Sequence, residues 1–241
     1  MEIDETINNW INETDGLLQE LGLPNCKVDV MILSAIPTID NYLNSALLIL
    51  NSGSRLPAMA LLRSVGELAT RIIYCLKGKN STEQDIRIQR WEKRALRERK
   101  KLYEKFLERY QQNQNQPKVE EVQRWIDQTE DEIKKIKPRG LPQNQDIFIE
   151  VFNEKHPVGQ EGFYHIYLCA SHVDLETLSK TIQNGEYTGD WEYDFEVLKY
   201  ECLTLLYFFL QEVYKNYELN FQRINNDYDE WLQRTLKRIN G

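Results

Sequence analysis

Glycine and proline are scarce in this chain, 11 and 7 in 241 residues, which excludes collagen-like repeats and low-complexity linkers. Cysteine is sparse and dispersed. Cys26, Cys75, Cys169 and Cys202 form no C-x-x-C pair, which argues against a disulfide scaffold or a zinc ribbon and makes them small buried hydrophobes of a reducing compartment. Long apolar runs are missing too. The longest, Cys202 to Leu210, falls far short of the ~20 residues that cross a bilayer. Met1 to Asn12 is acidic and amphipathic rather than basic and then apolar, so no secretory signal is read there, and a cytoplasmic protein with no membrane partner is expected. Positive charge is outnumbered: 30 Lys and Arg against 38 Asp and Glu give a net charge of -8. That balance argues against a protein coated in nucleic acid by bulk electrostatics, while leaving room for a local basic patch.

What is present is helical periodicity. Ala58, Leu61, Leu62, Val65, Ala69, Ile72, Ile73 and Leu76 recur three and four apart and form one apolar stripe of a helix from about Ser54 to Lys77. Ser54 stands at its N-cap, Pro57 in its first turn, and Gly78 just past its end. The other face carries Arg63, Glu67, Thr70 and Tyr74. This polar stripe is either a solvated face, with Glu67 and Arg71 as an i,i+4 ion pair, or one wall of a site.

Upstream, Ile3, Ile7, Trp10, Ile11, Leu18 and Leu21 mark a first helix, stopped by Gly22 and Pro24. Val28 to Ile36 is apolar on most sides, and Pro37 then kinks a long helix or restarts one that runs to Asn51. A short turn, Asn51 to Ser54, makes an antiparallel helical hairpin with the following helix.

From Ile86 to Tyr110 the chain is basic, with Trp91, Leu102, Tyr103 and Phe106 interleaved. After the polar run Gln111 to Gln116, Val119, Val122, Ile126, Thr129, Ile133 and Ile136 trace the narrow seam of a coiled coil with acidic neighbours. The basic arm reads either as a nucleic-acid surface, with Trp91 or Tyr103 stacking on bases, or as a solvated face answered by its acidic partner helix. Lys137 to Gly162 is an irregular connection with one apolar piece, Ile147 to Phe152, and its length suits a lid.

Beyond it, a helix is expected with Tyr164, Leu168, Ser171, Leu175, Leu178 and Ile182 on its buried stripe. His165, Cys169, His172 and Glu176 share another stripe and are all metal-ligand types, but His165 and His172 start about 10.5 Å apart along the axis. No metal or cofactor is assigned. His172 instead suits acid/base work near neutrality, or a histidine hydrogen-bonded inside a helical core. The last part, from about Tyr193, is a helix apolar nearly all round, followed by an amphipathic tail through Phe221, Ile224, Tyr228, Trp231 and Leu236 that closes the core or pairs with another copy.

Ala58 to Glu67 (AMALLRSVGE), Tyr74 to Lys77 (YCLK) and Tyr164 to His172 (YHIYLCASH) together resemble an uncharacterised bacterial family of all-helical proteins. That family is similar in turn to the HEPN superfamily, helical domains of toxin, antiviral and RNA-processing systems. The resemblance spans Thr38 to Ile182. It implies a metal-independent endoribonuclease, usually dimeric, whose motif histidine falls on His172. The motif arginine's place is taken by His165, and Arg63 on the facing helix would supply the cation. On that reading His172, Arg63, Glu67 and Ser171 are catalytic, Tyr164, Tyr74 and His165 bind substrate, no cofactor is needed, and RNA, a homodimer mate or another protein is the partner. The alternative is a non-catalytic interaction module in which the same residues form a structural polar cluster. The expected architecture is one all-α domain over 1–241, a core bundle from 1–85 and 140–241 with an antiparallel helical hairpin inserted at 86–137.

Overall fold

The computed structural model describes residues 3–138, 147, 150–151, 182–183, 186–187 and 195–240. It is an all-α helical bundle, and seven helices lie among the described residues. The chain divides into two compact units, one of residues 1–77 and 144–241, the other of 78–143.

In the first unit, α1 (Ile3–Glu20) buries Ile7, Trp10, Ile11 and Leu18, the spacing that made it readable as a helix. Helix α2 (Lys27–Asn51) runs unbroken through Pro37, so the proline neither ends nor restarts it. Cys26 caps its start and is exposed, a correction to the reading of every cysteine as buried; Cys75 and Cys202 are buried as expected, and Cys169 lies outside the described residues. Gly53 takes φ +85 in the turn that follows, a conformation that favours glycine, and brings the chain back into α3 (Arg55–Leu76). Ser54 stands at the N-cap of α3, but its side chain makes no capping hydrogen bond.

The centre of this unit is α6 (Phe195–Asn216), which packs against α3, α2, α1 and the last helix, α7 (Gln222–Asn240). Leu198, Leu203, Leu205, Leu206, Phe209, Leu210 and Val213 are all buried, as an all-round apolar pattern requires. Helix α7 closes back on α1. The Trp10 indole donates to Asp227 at 3.1 Å, the Trp231 indole donates to Thr6 at 3.2 Å, and Arg223 pairs with Glu13 at 3.0 Å.

A two-residue antiparallel ladder joins β1 (Ile182–Gln183) and β2 (Glu186–Tyr187), with Ile182 opposite Tyr187. Ile182 therefore leaves the helix on which its spacing had placed it. Asn184-Gly185 between the strands is a favoured two-residue turn sequence, and the local turn outweighs the helical period. Residues 147, 150 and 151 are helical, and Ile147 and Val151 are buried.

The second unit is a helical hairpin of α4 (Ser81–Gln112) and α5 (Gln116–Lys135). Asn80 caps α4 by accepting from the Glu83 amide at 2.9 Å, and Asn115 caps α5. Gly78 precedes the hairpin where a Cβ would come within 2.7 Å of the Gln84 backbone nitrogen, so only glycine fits. The helices run antiparallel. Lys93 donates to the carbonyls of Ile136 and Pro138, Lys100 pairs with Glu130 at 2.5 Å, and the Tyr103 and Trp125 rings are 5.4 Å apart. Val122, Ile126 and Thr129 are buried in the seam, where their spacing put them.

Candidate functional site

Arg63, Glu67 and Arg71 sit on successive turns of α3, so their side chains emerge on one side. Arg63 Nε donates to Glu67 Oε1 at 3.0 Å, and Arg71 Nη2 donates to Glu67 Oε2 at 3.2 Å. All three side chains are about a quarter exposed. One carboxylate thus orients two guanidiniums at the edge of the bundle, where charge-assisted hydrogen bonds are stronger than on an open surface.

The rest of the expected polar stripe is a correction. Thr70 is buried, and Tyr74 is only 2% exposed, because α3 packs against both α2 and α6 and its last two turns are covered. The Thr70 hydroxyl finds no hydrogen-bond partner, and Tyr74 belongs to the core rather than to an open face. Past the end of α3, Lys77 Nζ donates to the carbonyl of Val151 at 2.7 Å and ties the apolar piece of the 137–162 connection to this helix. Of the other expected site residues, Tyr164, His165, Ser171 and His172 lie outside the described residues, as do most of the expected lid and the His165, Cys169, His172, Glu176 stripe. Among the described residues no three His, Cys, Asp or Glu side chains gather as metal ligands do.

Two features were missed in the sequence. Glu201 on α6 is 7% exposed, and its Oε2 has no hydrogen-bond partner; burial alone pushes its carboxyl up to about 7. The available signal was a single acid next to the apolar run that starts at Cys202. The other is a tyrosine cluster between α6 and α7. Tyr200 and Tyr228 hydroxyls are 2.7 Å apart, Thr204 reaches Tyr228 at 3.3 Å, and Tyr207 stacks on Tyr228 with centroids 3.9 Å apart. Burial raises the phenols of all three tyrosines. Tyr200, Thr204 and Tyr207 recur at helical spacing, a polar thread inside an apolar pattern.

These features define a class: an all-α protein with a charged row on α3, and no described helix long and apolar enough to cross a membrane. The particular family follows from comparison. The model of the family described as "Family of unknown function (DUF5677)" matches residues 30–186, more than half of the chain, and the chain belongs to that family. No curated protein and no solved structure matches it. The matched span takes in the Arg63, Glu67, Arg71 row, the whole α4/α5 hairpin and the stretch around His172.

Proposed function

We propose that this protein is a HEPN-like, RNA-directed enzyme of a prokaryotic stress or defence system that cleaves RNA without a metal. The observation that carries this reading is the fixed guanidinium of Arg63, held by Glu67 at 3.0 Å and still partly open to solvent. A preorganised cation of this kind is what a phosphoryl transition state needs, because it need not reorganise as charge develops. In the reaction, the ribose 2′-oxygen bonds to the adjacent phosphorus and the bond from phosphorus to the 5′-oxygen breaks. His172 moves the proton, and Arg63 stabilises the phosphorane. Glu67 acts through Arg63 as a positioning residue, while Ser171, Tyr164 and His165 contact substrate.

The test is incubation of single-stranded RNA with the full chain in EDTA, beside Arg63→Ala and His172→Ala. The expected result is cleavage to 2′,3′-cyclic phosphate ends, lost in both variants while helicity is retained. Absence of cleavage by the parent chain, or cleavage that both variants keep, overturns the proposal. A second reading, a non-catalytic interaction module, is favoured by the way Glu67 engages both Arg63 and Arg71 within one helix, as a structural cluster does.

A further inference from the structure

The α4/α5 hairpin has an apolar side that its own seam does not use. Lys93, Leu96, Lys100, Tyr103, Leu107 and Tyr110 on α4 alternate three and four apart, and so do Val119, Val122, Ile126, Thr129, Ile133 and Ile136 on α5. In heptad terms these are the a and d positions, which places Phe106 and Trp125 at g and Leu102 at c. In an antiparallel pair the g positions of the two helices flank the same side of the seam, and c lies next to g. The contact between Tyr103, a d residue, and Trp125 agrees with that placement. Leu102, Phe106 and Trp125 therefore share one side of the hairpin, at 48%, 38% and 36% exposure.

Single exposed apolar residues are ordinary, but three large ones gathered on one side of a highly charged hairpin are not. Tryptophan is also a characteristic anchor of binding hot spots. The two helices differ in charge. Helix α4 carries ten Lys and Arg against six Asp and Glu, and α5 carries four against six. On this side Arg99 occupies a g position of α4 and Glu132 a g position of α5, and both are exposed. A surface that joins a basic helix to an acidic one around an apolar centre is complementary to itself: turned about a two-fold axis, each helix meets the oppositely charged helix of the other copy.

We infer that the Leu102, Phe106 and Trp125 side of the hairpin docks a second copy of this chain, α4 of each copy lying along α5 of the other in a four-helix arrangement. The inference is independent of the proposed RNA cleavage.

The experiment is sedimentation velocity on the full chain at several concentrations and two salt levels, with Leu102→Glu/Phe106→Glu and Trp125→Ala beside it. These side chains are exposed, so folding is preserved, and circular dichroism checks this. The expected result is a dimer of the parent chain, weakened by salt and weakened at least roughly tenfold by either variant, as loss of a hot-spot contact does. A parent chain that stays monomeric to about 100 μM, a mid-range affinity, overturns the inference. So does a dimer indifferent to both variants, which puts the interface elsewhere. A monomer that instead binds RNA, and loses it in both variants, also overturns it and assigns the patch to nucleic acid.

Discussion

The Tyr217 hydroxyl donates a 2.6 Å hydrogen bond to Asp29 Oδ1, linking residues 188 positions apart. The other oxygen of Asp29 accepts from the backbone amides of Asn25 and Cys26 at 2.6 and 3.0 Å. One buried carboxylate thereby finishes the first turn of α2 and fastens the chain just beyond α6 to it. Burial pulls the Asp29 carboxyl upward, but the hydrogen bonds from Tyr217, Asn25 and Cys26 outweigh it and hold the group below its ordinary value of 3.8.

Asp29→Ala should therefore cost about 1–3 kcal/mol, the penalty for breaking hydrogen bonds to a buried charge, and Tyr217→Phe about 1 kcal/mol. Urea unfolding of both single variants and the double variant measures the coupling. Because the folded carboxyl titrates below the unfolded one, its contribution is complete above the unfolded value and fades as pH falls through the folded value. The gap between parent and Asp29→Ala should shrink below about pH 4, near the unfolded aspartate value.

Glu201 gives the opposite pH dependence. Its folded carboxyl titrates near 7 against an ordinary value of 4.5, so the folded state holds its proton more tightly than the unfolded chain. Stability should be highest below 4.5, fall as pH rises toward 7, and level off above that. Each tenfold difference in proton affinity between the two states is worth about 1.4 kcal/mol, so the full change is roughly 3 kcal/mol. Glu201→Gln should remove this slope, gaining on the parent at pH 8 and matching it near pH 4. Denaturant midpoints taken across that range decide it; parallel curves for the two proteins would rule it out.

Tyr228→Phe keeps the ring that stacks on Tyr207 but removes the hydroxyl that Tyr200 and Thr204 share. A loss of about 1–2 kcal/mol is expected, since the Tyr200 hydroxyl is left buried without its acceptor. Tyr228→Leu should cost more, through the lost stack as well. Equal losses in thermal unfolding would show that the hydroxyl contact contributes nothing.

Lys93→Met keeps the aliphatic stem but leaves the Ile136 and Pro138 carbonyls without their ammonium partner. The expected cost is about 1–2 kcal/mol, confined to the open end of the hairpin. Amide exchange should speed up over the last turn of α5 and stay unchanged near the tip. Uniform acceleration along both helices would count against a local role.

The helices of this fold were legible because each buries a stripe with a regular period, and the long seam of α5 could be read residue by residue. Burial on two sides at once could not. Thr70 and Tyr74 fall on the polar stripe of α3 by spacing, yet a third helix, α6, covers that side, and one sequence carries no mark of which helix comes third. Cys26 was misjudged because a residue at a helix start follows the turn rather than the apolar pattern around it. Arg63 and Glu67 were legible as a pair because spacing of four along a helix sets their contact directly. Glu201 escaped notice because one acid scarcely disturbs an apolar average, and only its surroundings reveal its missing partner.

Lys100 lies at an a position of the hairpin seam, where an apolar residue would hold the helices together just as well, and it pairs there with Glu130 and Glu104. A repeating apolar seam would tolerate sliding by a whole heptad. Slipped one way, Lys100 would face Gln123, and slipped the other way, Lys137, a neutral amide or a like charge in place of its carboxylate. The charged pair thus sets the register of α4 against α5, and the apolar seam supplies the adhesion but not the alignment.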